Sequence, residues 1–373
     1  MKGGEKMTKT KLIHAALSGA ASLAFALAPA MAATASNDTT GADSNNEAEV
    51  EIENGISILQ QNNLSIHNNI TSNVNTGHNS ASKNTGDGSV STGDANSKVV
   101  VETTGNSNSL TLSLGGSGDL SASNTKTGAG SNNEAEVEVE NEVAIEQSNR
   151  AHVDNDVDID ADTGHNKANK NTGEASIDTG DSDVEVEITT DLNENVLEID
   201  GLGSGNLSAT NEKTGADSNN EAEVEVENDI GVLQKNKLCV DNDVDIEVDT
   251  GWNKANKNTG GDPMIETGDA DVSVEVGTSG NSNEASIEAG VEGDWDTSNS
   301  TTGAGSNNEA EVEVENEVAI EQSNRSHVDN SGNIDADTGH NKANKNTGDA
   351  EVSTGDSDVE VEVSTDVNSN SLD

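Results

Sequence analysis

The chain reads as an all-β protein, a repeat β-solenoid, on three observations. Apolar and polar residues alternate over stretches such as 135–163, an 87- to 88-residue unit recurs, and asparagine and glutamine stand at fixed inward places in each unit. Alternation comes first. In the second unit the odd positions include Ala135, Val137, Val139, Val143, Ile145, Val153, Val157 and Ile159, while the even positions between are almost all polar. Period two places one set of side chains on one face, and β-branched residues suit a half-buried strand. The same parity holds over 48–76, 222–250 and 310–338.

The repeat sets the organisation. Thr-Gly-Ala-(Asp/Gly)-Ser-Asn-Asn-Glu-Ala-Glu-Val begins at Thr40, Thr127, Thr214 and Thr302, dividing the chain into units 40–126, 127–213, 214–301 and a shorter 302–373, after a short segment 33–39. The extra residue of the third unit falls at Gly261-Asp262-Pro263-Met264, which predicts a tolerated loop tip. Residues 1–32 carry Lys2, Lys6, Lys9 and Lys11 before an apolar, alanine-rich run over 15–28 that closes on Ala30-Met31-Ala32, the pattern of a secretory signal peptide. An exported protein with no membrane span is expected.

The inward polar residues define the coil. Asn133, Asn141, Asn149 and Asn155 interrupt the apolar face at steps of 8, 8 and 6, and a single strand over 135–163 would exceed ordinary strand lengths. The spacing predicts corners there, and a three-sided coil of 22 residues, four to a unit, with amides stacked into ladders. Thr-Gly pairs at Thr76, Thr85, Thr92, Thr163, Thr172 and Thr179 mark turns in which glycine would supply positive φ. Short alternating runs such as Val184-Glu-Val186-Glu-Ile188 and Leu110-Thr-Leu112-Ser-Leu114 complete the strands. Tandem β-sandwich domains, one per unit, are the alternative, but they need an aromatic core and clear hairpin turns. The only phenylalanine is Phe25, tyrosine is absent, and the tryptophans are Trp252 and Trp295.

Each unit contains Asn-x-(Val/Ile)-x-(Val/Ile)-x-Gln, at Asn54 to Gln60, Asn141 to Gln147, Asn228 to Gln234 and Asn316 to Gln322. This resembles the strand pattern of curlin repeats, the subunits of bacterial amyloid-type fibres in biofilm matrix. The resemblance implies a solenoid lined by an Asn and Gln ladder, to which Asn149 and Asn155 add, and a fibre-forming role outside the cell.

Charge limits the partners. The net charge is −53, with 71 acidic residues against 18 Lys and Arg, which excludes nucleic acid and favours cations or a basic partner. Low hydrophobicity with high charge is also the composition of disordered chains, and here the order of the residues overrides it. The sharpest chemical pattern is acidic: Asp154, Asp156, Asp158, Asp160 and Asp162, with Asp245, Glu247 and Asp249 in the third unit and Asp335 and Asp337 in the fourth. Alternate carboxylates on one strand lie about 7 Å apart, so weak Ca2+ sites would need a neighbouring coil about 4.8 Å away. A solvated acidic face is the simpler expectation.

The ladder leads into His165-Asn-Lys167-Ala-Asn-Lys170, repeated with His340 and with Trp252 in place of histidine. Lys83, Lys167, Lys170, Lys254, Lys257, Lys342 and Lys345 are expected to pair with acidic columns of adjacent coils. His78, His165 and His340 occur once per unit and make a metal cluster only if units lie side by side. The lone Cys239 takes the outward slot held by Ser65, His152 and His327, so no internal disulfide forms.

No catalytic or organic-cofactor residues are assigned, because four similar units without an apolar pocket describe a lattice rather than one active site. The expected function is a secreted, acidic structural or adhesive protein of the cell surface or extracellular matrix, self-associating or binding surface polymers. A calcium-responsive acidic binding module is the second expectation, and ice or mineral binding the third.

Overall fold

The structure, a computed structural model, describes residues 20–27, 32–114, 118–201, 205–288 and 293–373. These residues form strands and no helix. In chain order, β1 is Ala20–Leu27, followed by β2 Ala33–Asp38, β3 Asn45–Asn75, β4 Gly88–Ser91 and β5 Ala95–Leu114. β6 Leu120–Thr125 closes the first unit, and the second supplies β7 Asn132–Asp162, β8 Ala175–Asp178, β9 Ser182–Asp200 and β10 Leu207–Glu212. The third supplies β11 Asn219–Asp249, β12 Met264–Glu266, β13 Ala270–Glu288 and β14 Trp295–Ser300. The fourth supplies β15 Asn307–Asp337, β16 Glu351–Ser353, β17 Ser357–Val367 and β18 Asn370–Leu372.

The strands stack as four parallel sheets: β3-β7-β11-β15, β1-β5-β9-β13-β17 with β18 also on β13, β2-β6-β10-β14, and β4-β8-β12-β16. Pairing joins like to like, so Val50 lies beside Val137, Val137 beside Val224, and Val224 beside Val312, each 87 or 88 positions on. Every backbone ladder therefore runs from one unit to the next. Among the described residues no unit makes a sheet of its own, which removes the tandem-sandwich alternative.

The 22-residue coil is also corrected. Asn133, Asn141, Asn149 and Asn155 all lie on one unbroken 31-residue strand, β7. They turn no corner. Alternation sets which side chains face inward but not which strand lies alongside, and 132–162 contains no glycine or proline to break it. In-register neighbours of nearly the same sequence satisfy each backbone group along the whole length.

The long strands form one layer, and the other strands return across it. Val137 and Val139 meet Leu120, Ala122 and Leu207; Val143 and Ile145 meet Leu110, Leu112 and Leu197; Val157 and Ile159 meet Val99, Val184 and Val186. The chain thus runs out along β7, returns along β9, and completes the return along β10. Small aliphatic residues fill the space between two flat layers, each fully buried valine or leucine contributing about 1.5–3 kcal/mol, so aromatic residues are not needed.

The turns differ from expectation in one respect. Positive φ falls on the residue after Thr-Gly, at His78, His165, Trp252 and His340, with values of 55–61°. The glycine serves close approach, since a Cβ on Gly164 would lie 2.3 Å from the Gly251 carbonyl oxygen. The threonine closes the turn: Thr163 Oγ1 donates to Gly180 O at 3.0 Å, and Thr250 Oγ1 to Gly268 O at 2.9 Å. The added residue of the third unit lies between Asn258, 87 positions from its partner Asn171, and Met264, 88 from Ser176, so a surface bulge absorbs it.

Of the expected leader, residues 20–27 form β1, which pairs with β5 from Ala20–Ser107 to Leu27–Leu114, and Ala32 is also described. The rest of 1–32 lies outside the described residues. No helix among the described residues is long and apolar enough to cross a membrane.

Candidate functional site

Register turns each outward or inward position into a column, one residue per unit. The inward amides form hydrogen-bonded ladders. Asn141 donates to Asn228 and Asn228 to Asn316, both at 2.7 Å, while Gln147 donates to Gln60, Gln234 to Gln147 and Gln322 to Gln234, each at 2.8 Å. Asn155 donates to Asn242 at 2.7 Å. Asn54 pairs through its backbone with Asn141, and its side chain is outside those described.

Sequence reasoning missed a second spine on the return strands. Asn108 donates to Asn195 and Asn195 to Asn283, at 2.9 Å each, and this column interlocks with the Asn149 column: Asn149 donates to Asn195, and Asn195 to Asn236, both at 2.9 Å. These amides are almost wholly buried, and each finds partners along and across the stack. The signal was present in Asn108, Asn195 and Asn283, but their facing partner is set only by the fold.

The acidic residues form outward columns. Asn73, Asp160, Glu247 and Asp335 align, as do Thr71, Asp158, Asp245 and Asn333, and Asn69, Asp156, Asp243 and Ser331. Asp158, Asp245, Glu247 and Asp335 share one shallow groove. Asp154 stands apart, in a column with Asp241 and Asp329. The first unit, which lacks these carboxylates, supplies donors instead: Asn69 to Asp156 at 3.0 Å, Asn73 to Asp160 at 2.8 Å, and His67 Nδ1 2.9 Å from Asp154.

Stacking like charges shifts their titration. Glu136 is pushed up to about 7 by burial, with Glu223 and Glu49 on either side adding repulsion. Burial likewise raises Asp160, helped by Asp162.

At the turn the units lie side by side, and the rings meet. His78, His165, Trp252 and His340 stack, with centroids 4.8, 6.0 and 4.3 Å apart and interplanar angles of 5°, 3° and 14°. Beside them run Asn75, Asp162, Asp249 and Asp337. Each aspartate uses Oδ1 to accept the N–H of the glycine two residues on, Asp162 from Gly164 and Asp249 from Gly251, both at 2.7 Å. Oδ2 is thereby aimed at the rings. Burial pushes Asp249 up to about 6 against the Gly251 bond and His165. Burial also acts to raise Asp337, but the Gly339 N–H and His340 outweigh it and hold its carboxyl below the ordinary value.

The turn lysines do not complete the expected pairs. Among the described residues, Lys83, Lys167, Lys170, Lys254, Lys257, Lys342 and Lys345 make no ion pair within 4 Å, whereas Lys98 meets Glu185 at 2.6 Å and Lys126 meets Asp38 at 3.0 Å. Lys83, Lys170, Lys257 and Lys345 occupy positive-φ turn positions, and Lys167, Lys254 and Lys342 align through their backbones. Cys239 is a free thiol aligned between His152 and His327.

Comparison with protein-family models, with curated proteins and with solved structures gives no match.

Proposed function

We propose that the chain is an exported structural protein of a cell surface or extracellular matrix, a β-solenoid in which one 87-residue unit makes one coil. The observation that carries this is the register: every strand lies beside its counterpart in the next unit, so surface chemistry recurs as columns rather than converging on one pocket. Such columns suit adhesion and self-association, as the curlin resemblance also implies. The apolar edge of the fourth unit adds support, with Val312 42% and Val361 53% exposed where Val224 is fully buried and Val274 nearly so. A further unit of the same pattern, in this chain or in a second copy, would cover that edge.

Fibre diffraction from concentrated, aligned protein tests the reading. A meridional reflection at about 4.8 Å is expected from coils stacked along the fibre axis. Monomers without cross-β order at every concentration would overturn the fibre-forming role.

The acidic columns favour a second reading, a calcium-responsive module. Circular dichroism of the leaderless chain with and without millimolar Ca2+ separates the two. β-structure in calcium-free buffer supports the structural role, and β-structure only with Ca2+ supports the module.

A further inference from the structure

We propose that His78, His165 and Asp162 form a binding site for one divalent transition-metal ion of the Zn2+ or Cu2+ class at the junction of the first and second units. His78 comes from the first unit and Asp162 and His165 from the second, and their ligand atoms all lie within 4.8 Å of one another. His78 Nδ1 is 3.0 Å and His165 Nδ1 3.7 Å from Asp162 Oδ2. Two ligands on a tetrahedral Zn2+ at about 2.0–2.1 Å stand about 3.3 Å apart, a value between these two distances. Both imidazoles are thus near the required spacing from the carboxylate, and all three ligand atoms lie within 4.8 Å of one another.

Three further features point to an ion. His165 Nδ1 is shielded from solvent and has no hydrogen-bond partner, although it faces Asp162 and, at 3.5 Å, Asp249 Oδ2. Asp162 is only 8% exposed, and its other oxygen is fixed by the Gly164 N–H, the outer bond that orients a metal-binding carboxylate. The neighbouring carboxylates Asp249 and Asp337 leave the column with negative charge that a dication offsets.

The donor set selects the metal. Two imidazole nitrogens with one or two carboxylate oxygens suit Zn2+, Cu2+ or Ni2+, whereas Ca2+ takes six to eight oxygens. Because the rings are now parallel, at least one must rotate about χ2 to bring the ion into its plane. Trp252, stacked on His165, is positioned to report that rotation. The other junctions lack the pair, since Trp252 replaces histidine in the third unit, so the stoichiometry is one ion per chain.

The experiment uses the intact, tag-free chain carrying Trp295→Phe, which leaves Trp252 as the only tryptophan. CuCl2 and ZnCl2 are titrated at pH 7.5 by fluorescence and calorimetry, with CaCl2 as the control. Saturable quenching by Cu2+ at one equivalent, displaced by Zn2+ and unaffected by Ca2+, is expected. His165→Ala and Asp162→Asn should each weaken binding at least about tenfold, while His340→Ala, which removes the other ring stacked on Trp252, should leave it unchanged. Asp162→Asn keeps the Gly164 cap and mimics Asn75 of the first unit, so it tests the site even if the histidine variant misfolds. Absence of a one-equivalent step, equal loss on His340→Ala, or full competition by Ca2+ would each overturn the site.

Discussion

At the residue scale, the buried amides hold the two layers in register. Asn195 accepts hydrogen bonds from Asn108 and Asn149 and donates to Asn236 and Asn283, all at 2.9 Å, with no exposure. Asn195→Leu keeps the branched four-atom outline but leaves neighbouring amides unsatisfied in a dry interior, which costs about 3 kcal/mol. Chemical denaturation should show that loss. Asn132 provides the contrast: it belongs to an exposed ladder with Asn45 and Asn219, and its replacement by alanine should change stability by less than about 0.5 kcal/mol. Equal effects at the two positions would mean that the inward ladder is not the stabilising one. Both residues are asparagines, but only Asn132 is placed by the parity of the long strands; on β9 the inward parity changes at Asn193, so the inward place of Asn195 is decided by the fold.

At the scale of the element, the long strands carry a cost that grows with pH. Glu136 on β7 titrates at about 7 in the folded chain against an ordinary value of 4.5, and Asp249 on β11 at about 6 against 3.8. A carboxyl raised on folding binds its proton more tightly in the native state, so stability is complete below the unfolded value and falls as pH rises towards the folded one. The window runs from about pH 4 to 7. The thermal midpoint should therefore be higher at pH 5.5 than at pH 7.5, by on the order of 5 °C, and added salt should raise it more at pH 7.5. A midpoint that climbs with pH would show that ionised columns do not oppose folding. The density of glutamate and aspartate was plain in the sequence, but the identity of each carboxylate's neighbour depended on an 87-residue register that alternation alone does not specify.

At the scale of the whole molecule, the same register makes the fourth unit a template. Its β15 sequence from Asn307 repeats β7 from Asn132 with only Ser326 for Ala151 through Asn330, so it presents nearly the chemistry that β7 presents to β11. Unpaired edges with exposed apolar residues drive association. Sedimentation velocity should show association that rises with concentration, and the double variant Val312→Lys, Val361→Lys should remain monomeric with an unchanged circular dichroism spectrum. A wild-type chain that stays monomeric at about 100 µM, far above the concentrations at which ordinary interfaces form, would exclude this edge as the contact.

Local order in the sequence determined the all-strand character, the inward and outward faces, the repeat length, and the amide positions on the long strands. Each depends on residues near one another in the chain, where period two and recurrence are directly visible. The tertiary structure decided the rest: that Asn141, Asn149 and Asn155 lie along one strand rather than at corners, that Asn149 meets Asn195 across the interior, and that His78 stands beside His165 and Asp162. A 22-residue coil and long strands paired only across 87-residue units obey the same alternation. Only the pairing of strands separated by a whole unit distinguishes them, and that non-local choice brings the site residues together.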